Sequence, residues 1–237
     1  MKATGINLAK QKEQKRALKK IAKPQLIRYL VFTYLLPVIL ITACASIFAL
    51  RYTPAFTIAN FYAEDGKTFT QTALNHNVIG SSFTFFNGYL ILALHAITEL
   101  ALLVQSVLRL HFYQLPQVLA LLSCGFLGLT AALPYILLRK QLGTVFTLLS
   151  ALVICLVPIP SFDYAIIGTI GNLKFLFLFW AFQAVLYRNY NYQSLKKTIL
   201  ADGLLLLSIF TYAPAIALLP FALYPYRRRL IDCFQSK

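Results

Sequence analysis

The chain reads as an all-α polytopic membrane protein, with four to six membrane segments and a short extracytoplasmic loop helix after the first span. Three observations predict this. Hydrophobic residues fill 59% of the 237 positions and charged residues only 12%, about half the charged share of a soluble domain. Several apolar runs are long enough to cross a bilayer as helices. The formal charge of +15, from 22 Lys and Arg against seven acids, is clustered at their flanks. So apolar a chain is not disordered, and it owns too few charges to solvate the surface of a soluble domain.

Nine basic residues lie in the first 28 positions, opposed only by Glu13. They abut a charge-free run of 22 residues, 29–50, which as a helix is about 33 Å long. The positive-inside rule reads the basic block as a cytoplasmic tail against anionic headgroups, with no nucleic acid involved. The run continues apolar past Cys44, so a retained anchor is expected rather than a cleaved signal. The predicted organisation is a basic tail 1–28, a helical membrane domain 29–226 and a second basic cytoplasmic tail 227–237. The expected location is the cell membrane, multi-pass, with the N-terminus cytoplasmic and lipids as the constant partner.

Residues 51–87 are the most polar stretch after the tail. Asp65 is placed to cap a helix over 66–75, with Phe69 and Ala73 on one face and Thr70, Gln71 and Asn75 on the surface, which reads as a short interfacial helix. The segment 88–110 is apolar but carries His95 and Glu99. Runs at 115–138, 142–162, 175–187 and 203–226 follow, the last interrupted by Pro214, Pro220 and Pro225. If every run from 88 onward crosses once, Arg51, Lys67, Arg139, Lys140, Arg188, Lys196 and Lys197 all face outward. If 88–110 stays in the outer leaflet or re-enters, only Arg51, Lys67, Arg109 and Lys174 do, which fits the rule better. Lys196-Lys197 and Arg227–Arg229 both favour the cytoplasm, so the last run is expected as two short helices broken near Tyr212-Ala213-Pro214, packed in protein or lining a wet cavity; a single crossing is the alternative.

Cys44, Cys124 and Cys155 sit inside apolar runs and behave as small apolar side chains, and Cys233 lies in the C-terminal tail. There is no CxxC, HExxH, GxGxxG or GxxxxGK[ST], and no triad spacing, so no metal, cofactor or ATP chemistry is predicted.

The residues that could carry chemistry are few. Glu64-Asp65 follows the first span, where a carboxylate can act as general base or simply cap a helix and face water. His95 and Glu99, four apart, share a helix face, either as a self-neutralising pair turned inward or with both heads reaching water. Lys174 and Arg109 either meet a phosphate or snorkel to headgroups. Asp163 is a loop acid that could face Asp65 across a cavity, without ligand spacing for a metal.

A basic tail, one span, an outward acidic pair at Glu64-Asp65, the run Asn87-Gly88-Tyr89-Leu90 with His95 after it, Gly171-Asn172-Leu173, and Tyr212-Ala213-Pro214 with Leu219-Pro220 together resemble the start of GT-C-type membrane glycosyltransferases. The resemblance covers roughly 29–226 as a pattern. It implies transfer from a polyprenyl-phosphate-linked sugar at the outer face, with Asp65 as base, Glu64 beside it, Lys174 or Arg109 at the donor phosphate, and a cell-surface polysaccharide, teichoic acid or lipid as acceptor. It also implies more spans than this sequence contains, so an N-terminal part, a compact relative or one half of a membrane-protein partnership is expected. Two other classes stay open: a non-catalytic module of a larger assembly, and a transporter or flippase using the broken helix and the His95/Glu99 pair.

Overall fold

A computed structural model describes residues 31–58, 61, 64–76, 78–86, 89–157 and 167–224. The basic tail, Asp163 and the C-terminal tail lie outside the described residues. About 85% of what is described is helical, and the fold is all-α apart from one two-residue hairpin, Phe85–Phe86 against Tyr89–Leu90. Among the described residues two helices are long and apolar enough to cross a membrane, Val31–Arg51 and Phe112–Leu142, with shorter apolar helices at Leu92–Val107, Thr144–Leu156 and Ala213–Leu223.

The chain divides into two compact units, Met1–Leu40 and Ile41–Lys237. In the first, a π-helical turn Val31–Leu35 precedes the α-helix Leu36–Arg51 (α1). Val31, Phe32, Tyr34, Leu35, Val38 and Ile39 are exposed there.

The second unit takes up the remainder of α1 and continues with α2 (Pro54–Thr57), α3 (a π-helical turn Asp65–Thr70 running into Gln71–Asn75) and α4 (Val78–Ser82). After the hairpin come α5 (Leu92–Val107), α6 (Leu115–Leu142, entered through a 3-10 turn Phe112–Gln114) and α7 (Thr144–Leu156). A 3-10 turn Gly171–Phe175 leads into α8 (Leu176–Tyr190), followed by α9 (Leu195–Thr211), a 3-10 stretch Ala213–Leu218 and α10 (Leu219–Leu223).

Close helix contact depends on small residues. Gly128 of α6 faces α1 so tightly that a Cβ there would lie 2.5 Å from the Ile41 carbonyl and 2.7 Å from the Ala45 nitrogen. Small residues permit this approach where lipid supplies no hydrophobic drive between helices. The α6–α8 contact is aromatic: Trp180 stacks on Phe126 at 4.7 Å, and its indole N–H donates to Thr130 Oγ1 at 2.9 Å, so the ring buries its polar edge without leaving a donor unpaired.

The helix ends sort into two sets. Arg51 donates to the Cys155 carbonyl at 2.7 Å, joining the end of α1 to the end of α7. Ser123 donates to the Thr169 carbonyl at 3.0 Å, placing the first turns of α6 beside the approach to α8. The Phe175 and Tyr212 rings meet edge to face at 5.6 Å, joining the start of α8 to the end of α9. Thr211 accepts from the Ala93 amide at 3.2 Å, which brings the start of α5 to the same end. The tight turns at Gly143 and 191–194 hold the opposite ends. Arg139, Lys140, Arg188, Lys196 and Lys197 therefore gather at one end, away from the starts of α5 and α8.

The last apolar run folds back. Arg188 donates to the Ala222 carbonyl and to Asp202, and Asn189 donates to the Phe221 carbonyl at 3.2 Å. After the break at Tyr212 the chain has thus returned along α8 to the basic end. The halves are unequal: α9 is a helix of 17 residues, whereas the return is a 3-10 stretch of six and a helix of five.

Gly128→Ala should destabilise the protein by about 1–3 kcal/mol, because backbone atoms cannot make room cheaply. Gly125→Ala, three residues earlier with nothing within 4 Å of the added carbon, should be neutral or stabilising by up to about 1 kcal/mol through helix propensity. Thermal unfolding in detergent measures both.

Candidate active site

The site begins with a shortage of hydrogen-bond acceptors. The first amides of a helix have no partner inside it, and they carry its positive partial charge. At the entry to α8 those amides belong to Ile170 and Gly171. Asp65 supplies the acceptors: Oδ2 takes the Ile170 N–H at 2.9 Å and Oδ1 takes the Gly171 N–H at 2.8 Å. The side chain that the sequence placed as a cap for its own helix caps a different one, more than a hundred residues away. At the start of α3 the cap position is Glu64, and it makes no side-chain cap bond. Thr70, expected at the surface, is buried, and its hydroxyl donates to the Asp65 carbonyl at 2.7 Å across the π-helical turn.

Asp65 is 3% exposed. Burial pushes its carboxyl up from 3.8 to about 6, against the pull of the Ile170 and Gly171 amides, with a further upward push from Glu64. At neutral pH it is mostly ionised, which suits two N–H donors.

Pinning Asp65 places its neighbour. Glu64 Oε2 comes to 3.8 Å from Lys174 Nζ, because Lys174 follows Gly171 by one turn. Gly171 has to be glycine: a Cβ there would lie 2.9 Å from Glu64 Oε2 and 3.3 Å from both Asp65 Oδ1 and the Phe69 ring. Lys174 lies over the Phe86 and Phe175 rings, at 5.4 and 5.5 Å from their centres, so aromatic faces hold the ammonium where few water molecules reach. Its side chain is 11% exposed and that of Glu64 38%. Approach to α8 is steered by a second glycine. Gly168 has φ +87°, and a Cβ on it would lie 2.5 Å from Ala55 Cβ.

Phe69 forms the back wall. It is fully buried between Phe86 at 5.9 Å and His95 at 5.5 Å, the latter edge-on. His95 is 1% exposed, with the Thr84 backbone as its hydrogen-bonding neighbour. No ion pair joins it to Glu99, whose carboxylate accepts instead from Ser81 at 2.6 Å. Of the two arrangements open for His95 and Glu99, the structure turns the imidazole inward and gives the Glu99 carboxylate to Ser81.

The structure therefore brings Glu64, Asp65 and Lys174 into contact and sets His95 behind Phe69. Arg109 is not drawn in. It sits past the far end of α5, exposed, in a left-handed turn at φ 52°, and about 18 Å of helix separates His95 from that end. It forms no ion pair with Glu64 or Asp65. Asp163 lies outside the described residues. Among the described residues no three His, Cys, Asp or Glu side chains converge to hold a metal. The contributors that sequence reasoning missed are the Ile170 amide, Phe69 and Phe86 as walls, and the fit of Gly171 against the acids. Only the glycine leaves a visible trace, in Gly171-Asn172-Leu173.

No family model, curated protein or solved structure matches the chain. The chemistry of the site has to be argued from its own geometry.

Asp65 holds a proton more tightly folded than unfolded, so its contribution to stability is complete below about pH 4 and declines as pH rises through about 6. Each pH unit between those values is worth about 1.4 kcal/mol. Unfolding measured from pH 4 to 7 in detergent should show a loss of roughly 2–3 kcal/mol that Asp65→Asn abolishes.

Proposed function

We propose that the chain is an integral membrane protein that transfers a sugar from a lipid-linked phosphate to a hydroxyl of a cell-surface polysaccharide or lipid, at the outer face of the membrane. The observation that carries this reading is the Asp65 clamp, which sets a carboxylate and a lysine side by side where helices begin. Transfer needs those two charges. As the acceptor oxygen attacks the anomeric carbon, its proton has to go to a carboxylate. As the bond from that carbon to the phosphate breaks, the departing phosphate gains charge, which a fixed ammonium meets.

The placement of charge supports the outer-face assignment. Arg139, Lys140, Arg188, Lys196 and Lys197 share the end opposite the site, and the positive-inside rule makes that end cytoplasmic. The reading has α1, α6, α7, α8 and α9 as membrane segments, the segment 213–223 returning to the cytoplasmic side, and α3 to α5 covering the outer end. The aromatic walls that Phe86 and Phe175 form around Lys174 suit a donor whose phosphate sits at headgroup depth and whose polyprenyl chain stays in the bilayer.

Orientation is checked by thiol labelling in a Cys233→Ser background. Lys67→Cys should react with a membrane-impermeant maleimide on intact cells, and Lys140→Cys only after permeabilisation. The reverse pattern would put the site in the cytoplasm and end this reading. Activity is checked with the full chain in vesicles carrying polyprenyl-phosphate-linked glucose, mannose or N-acetylglucosamine and a hydroxyl acceptor. Lys174→Ala should lower transfer about 100- to 1,000-fold, the usual cost of removing one transition-state charge partner.

A further inference from the structure

From the same geometry we infer that the two adjacent acids divide the work: Glu64 is the catalytic carboxylate that takes the acceptor proton, and Asp65 is a positioning residue that stays out of reach of substrate. This rests on the transfer reading above and sharpens it, since the resemblance in the sequence implies the opposite assignment.

Access separates the two. Asp65 is 3% exposed, and each of its oxygens already accepts an amide from the start of α8. Its remaining lone pairs are enclosed, so an acceptor hydroxyl has no open route to them. The Glu64 side chain is 38% exposed and accepts no clamp of this kind. Its cationic neighbour Lys174 stands at 3.8 Å, beyond the usual range of a charged hydrogen bond. Carboxylate and ammonium are therefore near enough to fix each other's place, and each retains lone pairs or protons for a ligand. The gap suits an acceptor hydroxyl on the Glu64 side and a phosphate oxygen on the Lys174 side.

The step balances without any further reactant. The acceptor O–H proton passes to Glu64 Oε, and the oxygen lone pair forms the bond to the anomeric carbon. The bond from that carbon to the phosphate oxygen breaks, and its electron pair leaves with the phosphate, where Lys174 meets the charge. Glu64 then returns its proton to water. Asp65 acts throughout on position: it holds Gly171 against Glu64 and sets the turn that carries Lys174.

The test uses the full chain in vesicles with a polyprenyl-phosphate-linked sugar. Glu64→Gln should lose roughly 100- to 10,000-fold in kcat, the range of a general base, with the donor KM within about two-fold and the melting temperature unchanged. Exogenous formate should restore transfer to Glu64→Ala and should do nothing for Asp65→Ala. Asp65→Asn, which keeps one acceptor for the helix amides, should raise the donor KM and keep kcat within about ten-fold of the parent. Should Asp65→Asn not fold, Glu64→Gln and the formate experiment decide the matter between them. An active parent whose Glu64→Gln variant keeps its kcat, or whose Asp65→Ala variant is the one rescued by formate, overturns the division while leaving glycosyl transfer standing. A parent that transfers no sugar at all overturns transfer and the division together.

Discussion

The buried carboxylate of Asp65 and the first amides of the α8 entry satisfy each other, and one end of the molecule is arranged around that exchange. A helix start in an apolar setting cannot leave its amides unpaired. A buried carboxylate cannot stay ionised without donors. Each solves the other's problem at 2.9 and 2.8 Å. The cost of burial is still visible in the carboxyl group, raised to about 6 despite two good hydrogen bonds. From this contact follow the position of Glu64, the need for glycine at 171 and the reach of Lys174.

The opposite end is organised by a different buried charge. Arg188, 8% exposed, bonds the Ala222 carbonyl and Asp202. Both partners are distant in sequence, one on the return segment and one on α9. A guanidinium has five donors in a planar fork, so one side chain can hold two elements against α8. That is why the segment after Tyr212 runs back along α8 instead of continuing away from it. The second unit thus holds Glu64 and Asp65 at one end and Arg139, Lys140, Arg188, Lys196 and Lys197 at the other, with α8 carrying Lys174 at its entry and Arg188 in its last turn.

His95 and Glu99 show how far spacing alone can lead. Four residues apart on α5, they share a face, which leaves both an inward pair and two water-facing heads open. Packing decides between them. Phe69 from α3 meets the imidazole edge-on, and Ser81 from α4 takes the carboxylate. Both partners come from elements that the sequence marked only as a polar loop with one short helix.

Helical class, the apolar runs and the break at Tyr212 were legible in the chain, because each follows from local composition or from proline and needs no partner. The acidic pair was visible as residues of interest. Its geometry was not, because the groups that complete it are backbone amides at 170 and 171, which carry no side-chain signature, and aromatic walls indistinguishable in sequence from any lipid-facing Phe. Capping rules point each acid toward the helix it begins, whereas tertiary folding offered Asp65 a better set of donors a hundred residues away. Which of two neighbouring carboxylates is buried and which is open is a property of how α3 packs against the start of α8, and no spacing of residues along the chain encodes it.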